Sequence, residues 1–70
     1  MNKKQFEKTW NAIENKVKAI YIDHNFKSVV IVYANNYRYK KLINGNKVIY
    51  ALWDNVVIAE INIKDISFIV

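Results

Sequence analysis

The sequence contains no cysteine, a single glycine and a single histidine among its 70 residues. Without cysteine there is neither a disulfide framework nor a thiolate zinc site to supplement the core, and nothing points to an oxidising compartment. One glycine cannot build a phosphate-cradling loop of the familiar Gly-rich kind. Arginine is scarce as well: Arg38 is the single arginine among eleven basic residues, whereas recognition of phosphate and base edges favours the planar guanidinium fork. Long apolar runs are missing too. "VVIVYA" falls far below the roughly 20 residues that a membrane-spanning helix needs. The charged start "MNKKQFEK" lacks the apolar block of a signal peptide, so the expectation is a cytoplasmic chain with no membrane partner.

Catalytic and metal-binding signals are equally sparse. A pairing of Ser28 with His24 would still need an orienting acid and oxyanion donors, and no nucleophile elbow surrounds either residue. The carboxylates Glu7, Glu14, Asp23, Asp54, Glu60 and Asp65 show no metal-ligand spacing. The expectation is therefore no enzyme, no cofactor and no metal, with Glu60 paired to Lys47 or Lys40.

What is present is positive charge and apolar pattern. The formal net charge of +5 permits attraction to nucleic acid, anionic membranes or acidic proteins, and changes association rates more than it identifies a partner. Ile, Asn, Lys and Tyr have AT-rich codons, so part of the lysine excess reflects coding composition. In size and vocabulary the chain resembles accessory proteins of phages and other mobile elements, a resemblance of composition rather than of matched motifs. A chain this short makes one domain and buries only about 60% of the surface its unfolded form exposes, so core and partner surface compete for the same side chains.

The N-terminus carries a full set of helix-start signals: Asn2 to cap, Gln5 to reach back as in a capping box, and Met1 and Phe6 as a hydrophobic staple. Apolar residues at Phe6, Trp10, Ile13 and Val17 draw one stripe, predicting a core-facing helix over about 3–18. Glu14 and Lys18 would form an i,i+4 pair on its exposed side. The β-branched and aromatic run "AIYID" favours a strand from about Ala19, with Asp23-His24-Asn25 as a turn. Extension of the helix to Ile22 is the alternative. From Lys27 onward "KSVVIVYA", "YRYKKLI", "KVIYALW", "VVIAEINI" and "ISFIV" read as strands, separated at Asn35-Asn36, Asn44-Gly45, Asp54-Asn55 and Lys64-Asp65. Such short links imply antiparallel neighbours. The fold class is α+β, a single domain over 1–70 in which one helix packs on an antiparallel meander of about four to six strands over 19–70.

Two-residue turns at Asn44-Gly45 and Asp54-Asn55 would fix the register. Tyr39 would then face Tyr50, Tyr37 would face Leu52, and Leu52, Tyr50 and Val48 would face Val57, Ala59 and Ile61. That side, with the three tyrosines, would receive the helix. The opposite side would hold Arg38, Lys40, Leu42, Lys47, Ile49, Trp53 and Ile58. Such a face is too apolar for a solvated one, so either the terminal strands curl over it or it meets a partner. Those seven residues are the candidate partner-binding set, with Trp53 beside Arg38 and Lys40 as its hot spot. The expected function is a non-catalytic binding module that docks on a larger protein or nucleoprotein and inhibits it. Direct binding of single-stranded nucleic acid or RNA is the alternative. The apolar ending "ISFIV", with Ile66, Phe68 and Val70 on one side, further suggests a homodimer through the last strand or the Trp53 face, unless that strand lies between "VVIAEINI" and "KSVVIVYA" inside the sheet.

Overall fold

A computed structural model describes residues 1–24 and 28–70. The elements run α1 (Lys3–Ala12), β1 (Lys18–His24), β2 (Ser28–Ala34), β3 (Asn36–Lys41), β4 (Lys47–Trp53), β5 (Val56–Asn62), a 3-10 turn (Ile63–Asp65) and β6 (Ile66–Ile69). This is the expected α+β class, with one N-terminal helix and six antiparallel strands in two three-stranded sheets. Sheet I has the order β2-β1-β6 and sheet II the order β3-β4-β5. Asp23 and His24 end β1; Asn25, the third residue of the expected turn, and Lys27, at the expected start of the next strand, lie outside the described residues.

The helix starts as its caps require. Asn2 Oδ1 accepts from the Gln5 backbone N–H at 2.8 Å, and Gln5 Oε1 accepts from the Asn2 backbone N–H at 3.1 Å. Its end comes earlier than the apolar stripe implies. Ile13 is already extended, with φ −90° and ψ 119°, and Val17 is exposed. The chain leaves the helix because residues from Lys18 onward are needed in the sheet, where Lys18 pairs with Ala34. Tertiary pairing here overrides a helical pattern that was only weakly supported by the β-branched Ile13 and Val17. The expected Glu14–Lys18 pair is consequently not formed. Lys18 is buried, donates from Nζ to the Asn15 carbonyl at 2.6 Å, and sits 4.7 Å from the centre of the Trp10 ring. Among the described residues the ion pair present is Lys3–Glu7, at 3.8 Å on the helix surface.

Phe6 and Trp10 bring the helix onto sheet II through Tyr37. The Phe6 and Trp10 rings stack at 5.7 Å, and Tyr37 meets both edge-on at 4.7 and 5.0 Å. Beneath them the core joins Ile49, Ala51 and Ile61 of sheet II to Ile20, Ala34, Ile66 and Ile69 of sheet I, with Ile63 from the 3-10 turn. Side chains as fully buried as Phe6, Ile20 and Ile49 each contribute roughly 1.5–3 kcal/mol relative to exposure.

The hairpin registers differ from expectation by one residue, and the reason lies in the turns. Around Asn44-Gly45 the loop has three residues: the Gly45 N–H donates to the Leu42 carbonyl at 3.0 Å, the Leu42 N–H donates to the Asn46 carbonyl at 2.7 Å, and Gly45 has φ 88°. This is a turn followed by a left-handed residue, a hairpin type that glycine favours and that competes with the two-residue turn at Asn-Gly. Tyr39 therefore faces Ile49, Tyr37 faces Ala51 and Arg38 faces Tyr50. The Asp54-Asn55 turn is the two-residue type expected, both residues having positive φ (48° and 68°), and Leu52 faces Val57 as expected. A bulge after that pair then shifts Tyr50 onto Glu60 and Val48 onto Asn62.

A one-residue slip turns a strand over. The side of β4 that meets the helix is Ile49 and Ala51 rather than Val48, Tyr50 and Leu52. The row Tyr37–Ala51–Ala59 sets one ring beside two methyl groups, leaving room for Phe6 and Trp10.

The strands also do not form a single meander. β2 and β3 are consecutive but belong to different sheets, with Asn35 as a one-residue corner between them. Its backbone N–H donates to the Leu52 carbonyl at 3.0 Å. Its side chain donates to Asp54 Oδ1 at 2.8 Å and accepts from the Asp54 N–H at 3.1 Å. The corner is thereby pinned to the β4–β5 turn.

Candidate docking surfaces

Each sheet has one face in the common core and one facing outward. On sheet II the register places three cross-strand rows outward: Asn36–Leu52–Val57, Arg38–Tyr50–Glu60 and Lys40–Val48–Asn62. Leu52 and Val48 remain buried, Tyr50 is half-buried, and Arg38, Lys40, Glu60, Val57 and Ile58 are exposed. A shallow cleft here is lined by Arg38, Tyr39, Lys40, Tyr50 and Val57. Sheet I packs on the inner side with the helix, so the terminal strands do not curl over this face.

Of the seven residues expected to share the partner surface, Arg38 and Lys40 do lie together on this outer face. Leu42 continues their alternation beyond the strand and is half-buried, and Ile58 is exposed at the β5 bulge. Ile49 is the clear correction: the slipped register turns it inward, and it is 0% exposed in the core. Lys47 and Trp53 share the parity of Ile49 and lie exposed at the two ends of β4. Trp53 is thus separated from Arg38 and Lys40, and the ring beside those cations is Tyr50. Glu60 forms no ion pair among the described residues; it faces Tyr50 and lines a second cleft with Ile22, Leu42, Val48 and Asp65.

The tyrosines expected in the core divide. Tyr37 is under the helix, and burial, reinforced by the nearby Glu7 carboxylate, pushes its phenol above the ordinary value of 10.0. Tyr39 is half-buried with the Lys3 ammonium 4.8 Å from its ring centre. Tyr50 faces out.

The outer face of sheet I is a surface that strand-by-strand reading missed. β1 contributes Ala19, Tyr21 and Asp23, β2 contributes Val29, Ile31 and Tyr33, and β6 with the residue after it contributes Phe68 and Val70. Tyr21 and Phe68 stack at 4.2 Å, and the Ser67 hydroxyl donates to the Tyr21 carbonyl at 3.0 Å. Val29 and Tyr33 are each 58% exposed and Phe68 47%. The expected alignment of Ile66 with Phe68 and Val70 is broken by a bulge between their β1 partners, which sends Ile66 into the core. β6 pairs with β1, rather than lying between "VVIAEINI" and "KSVVIVYA". The missed signal is the absence of alternation in "SVVIVYA": apolar residues at odd and even positions mark a strand with both faces apolar.

Among the described residues no cluster of three or more His, Asp or Glu side chains could hold a metal, and no helix is long and apolar enough to cross a membrane. No family model, curated protein or solved structure matches the chain.

Proposed function

We propose that the chain is a non-catalytic docking module that occupies a surface of a larger protein or nucleoprotein assembly and blocks it, as a small accessory inhibitor of a mobile element would. The supporting observation is the outer face of sheet II, where Arg38 and Lys40 border Tyr50 with Val57 and Ile58 exposed beside them. An apolar centre with a charged margin has the composition of an interface. Arg and Tyr are enriched among the residues that dominate binding energy. A target inside the cell places the module in the cytoplasm, in keeping with a sequence without cysteine.

The test is affinity capture from host lysate with the wild type, the double variant Arg38→Glu/Lys40→Glu, and Ile58→Asp, each checked by thermal melting. The same captured protein should be lost in both variants while melting shifts by no more than a few degrees, since exposed substitutions typically change stability by about 0.5 kcal/mol or less. Capture that survives both variants refutes this use of the face.

Direct binding of single-stranded nucleic acid or RNA is a second reading with its own observation. Lys41 and Lys47 are cross-strand partners, and Lys40 precedes them. Like charges directly opposite destabilise a strand pair, a cost that a polyanion lying along them would relieve. The ring on the side of Lys41 and Lys47 is Tyr39, half-buried beside Lys3, since Tyr37 is under the helix and Tyr50 lies on the opposite side. Filter binding of mixed-sequence RNA and DNA at low salt decides it. Binding that falls steeply with salt supports the reading, and none at roughly tens of micromolar protein, a concentration inside the ordinary range of non-specific affinity, removes it.

A further inference from the structure

We infer that the outer face of sheet I is the contact between two copies of this chain, packed face to face about a two-fold axis. The face is three strands wide and apolar, with Val29, Ile31, Tyr33, Tyr21, Phe68 and Val70 outward. Its exposed fractions correspond to roughly 500 Å² per copy, so pairing hides on the order of 1,000 Å² in total, the area at which specific interfaces begin.

Charge selects the occupant. The chain carries +5, yet among the described residues the charged side chain on this face is Asp23 alone, at one end of β1. The basic residues of the described strands point into the core, as Lys18 does, or lie on sheet II. A polyanion or an anionic lipid surface would find no cation here. A second copy meets the face without setting lysine against lysine, which the general positive charge would otherwise penalise. An identical apolar sheet is also its natural geometric complement, because two twisted sheets stack with their strands within about 30° of each other. A two-fold arrangement is self-complementary, each copy offering the same residues. The stacked Tyr21–Phe68 pair, at 4.2 Å, supplies rigid aromatic area near the centre of such a contact. Pairing through this face leaves Arg38, Lys40 and Tyr50 of both copies outward, so the assembly presents the sheet II face twice.

The test is molar mass by light scattering after size exclusion, as a function of concentration. The wild type should approach twice 8.3 kDa as concentration rises through roughly tens of micromolar, the weak end of interfaces of this size. Tyr33→Lys and Val29→Lys, made separately, should weaken association at least tenfold, and Ile58→Lys on sheet II should leave it unchanged. Because the sequence has no cysteine, Ile31→Cys adds a geometric readout: air oxidation should yield a covalent dimer far faster than Ile58→Cys does. A mass of 8.3 kDa at every concentration overturns the inference. So does a dimer that Ile58→Lys disrupts while Tyr33→Lys and Val29→Lys do not.

Discussion

Sheet I turns Val29, Ile31, Tyr33, Tyr21 and Phe68 outward, whereas sheet II turns Arg38, Lys40, Tyr50 and Glu60 outward. The two sheets share one core, so the difference does not come from what the fold needs inside. It is sharpest at the edge strands β2 and β3, which follow each other across Asn35. β3 alternates Tyr37 and Tyr39 inward with Arg38 and Lys40 outward, and its charges blunt an edge that would otherwise pair with foreign strands. β2, "SVVIVYA", carries no charge on either side. Adjacent segments of one chain thus follow opposite rules, one set against association and the other open to it.

The comparison breaks first if the inner and outer sides of β4 have been exchanged. Ile49→Ala should cost about 2–5 kcal/mol because Ile49 is fully buried, and Tyr50→Ala roughly half of that or less because Tyr50 is half-buried on the outer face. Chemical denaturation of both variants gives the order, and a larger loss at Tyr50 would restore the register expected for a two-residue Asn44-Gly45 turn. Next in size is the corner that lets the two sheets diverge. Asn35→Ala removes two hydrogen bonds to Asp54 and should cost about 1–2 kcal/mol, seen as a melting temperature lowered by roughly 4–15 °C in a domain of this size. No change would mean that the corner holds without its side chain.

Gly45→Ala sharpens the assignment of Arg38 and Tyr50 to one row. Nothing lies within 4 Å of a Cβ built there, and φ is 88°, so the loss should be purely conformational, about 1 kcal/mol. Asn46 N–H donating to Asn44 Oδ1 would hold the rest of the turn. The smallest expected effect is a pH dependence. Burial raises the Tyr37 phenol above 10.0, so the folded state holds that proton more tightly than the unfolded chain does. The resulting stability is fully present below about pH 10, the unfolded value, and is lost as pH rises through the folded value. Tyr37→Phe should flatten the alkaline arm of a stability profile relative to wild type; an identical arm would place Tyr37 in water.

The helix start, the class and most strand positions were legible in the sequence because they depend on local signals: Asn2 and Gln5 cap, apolar residues recur at helical spacing, and Asn and Asp mark turns. Orientation of β4 was not legible, because Asn-Gly supports two loop lengths and the choice between them is made by packing of Ala51 and Ala59 under the aromatic cluster. The end of α1 was hidden for a similar reason: the pattern through Ile13 and Val17 looked helical, but pairing of Lys18 with Ala34 decided it. Within the candidate surface, Arg38 and Lys40 kept their common face because β3 alternates on its own, while Ile49 and Trp53 depended on the β4 register and were lost from it. The sheet I face escaped notice because β6, which completes it, lies far along the chain from the consecutive strands β1 and β2.

That distance along the chain orders the events of folding. The β4–β5 hairpin closes over a two-residue turn, and such hairpins form in about 1–10 μs. β1 cannot complete its pairing until Phe68 and Ile69 return to Tyr21 and Ile20, a closure spanning most of the chain, and non-local pairings of this kind slow folding. During that interval β1 has only β2 as a neighbour, and the inner side of sheet I lacks Ile66 and Ile69. Arrival of β6 is therefore the slow, non-local step, and it cannot occur until residues 66–69 have left the ribosome.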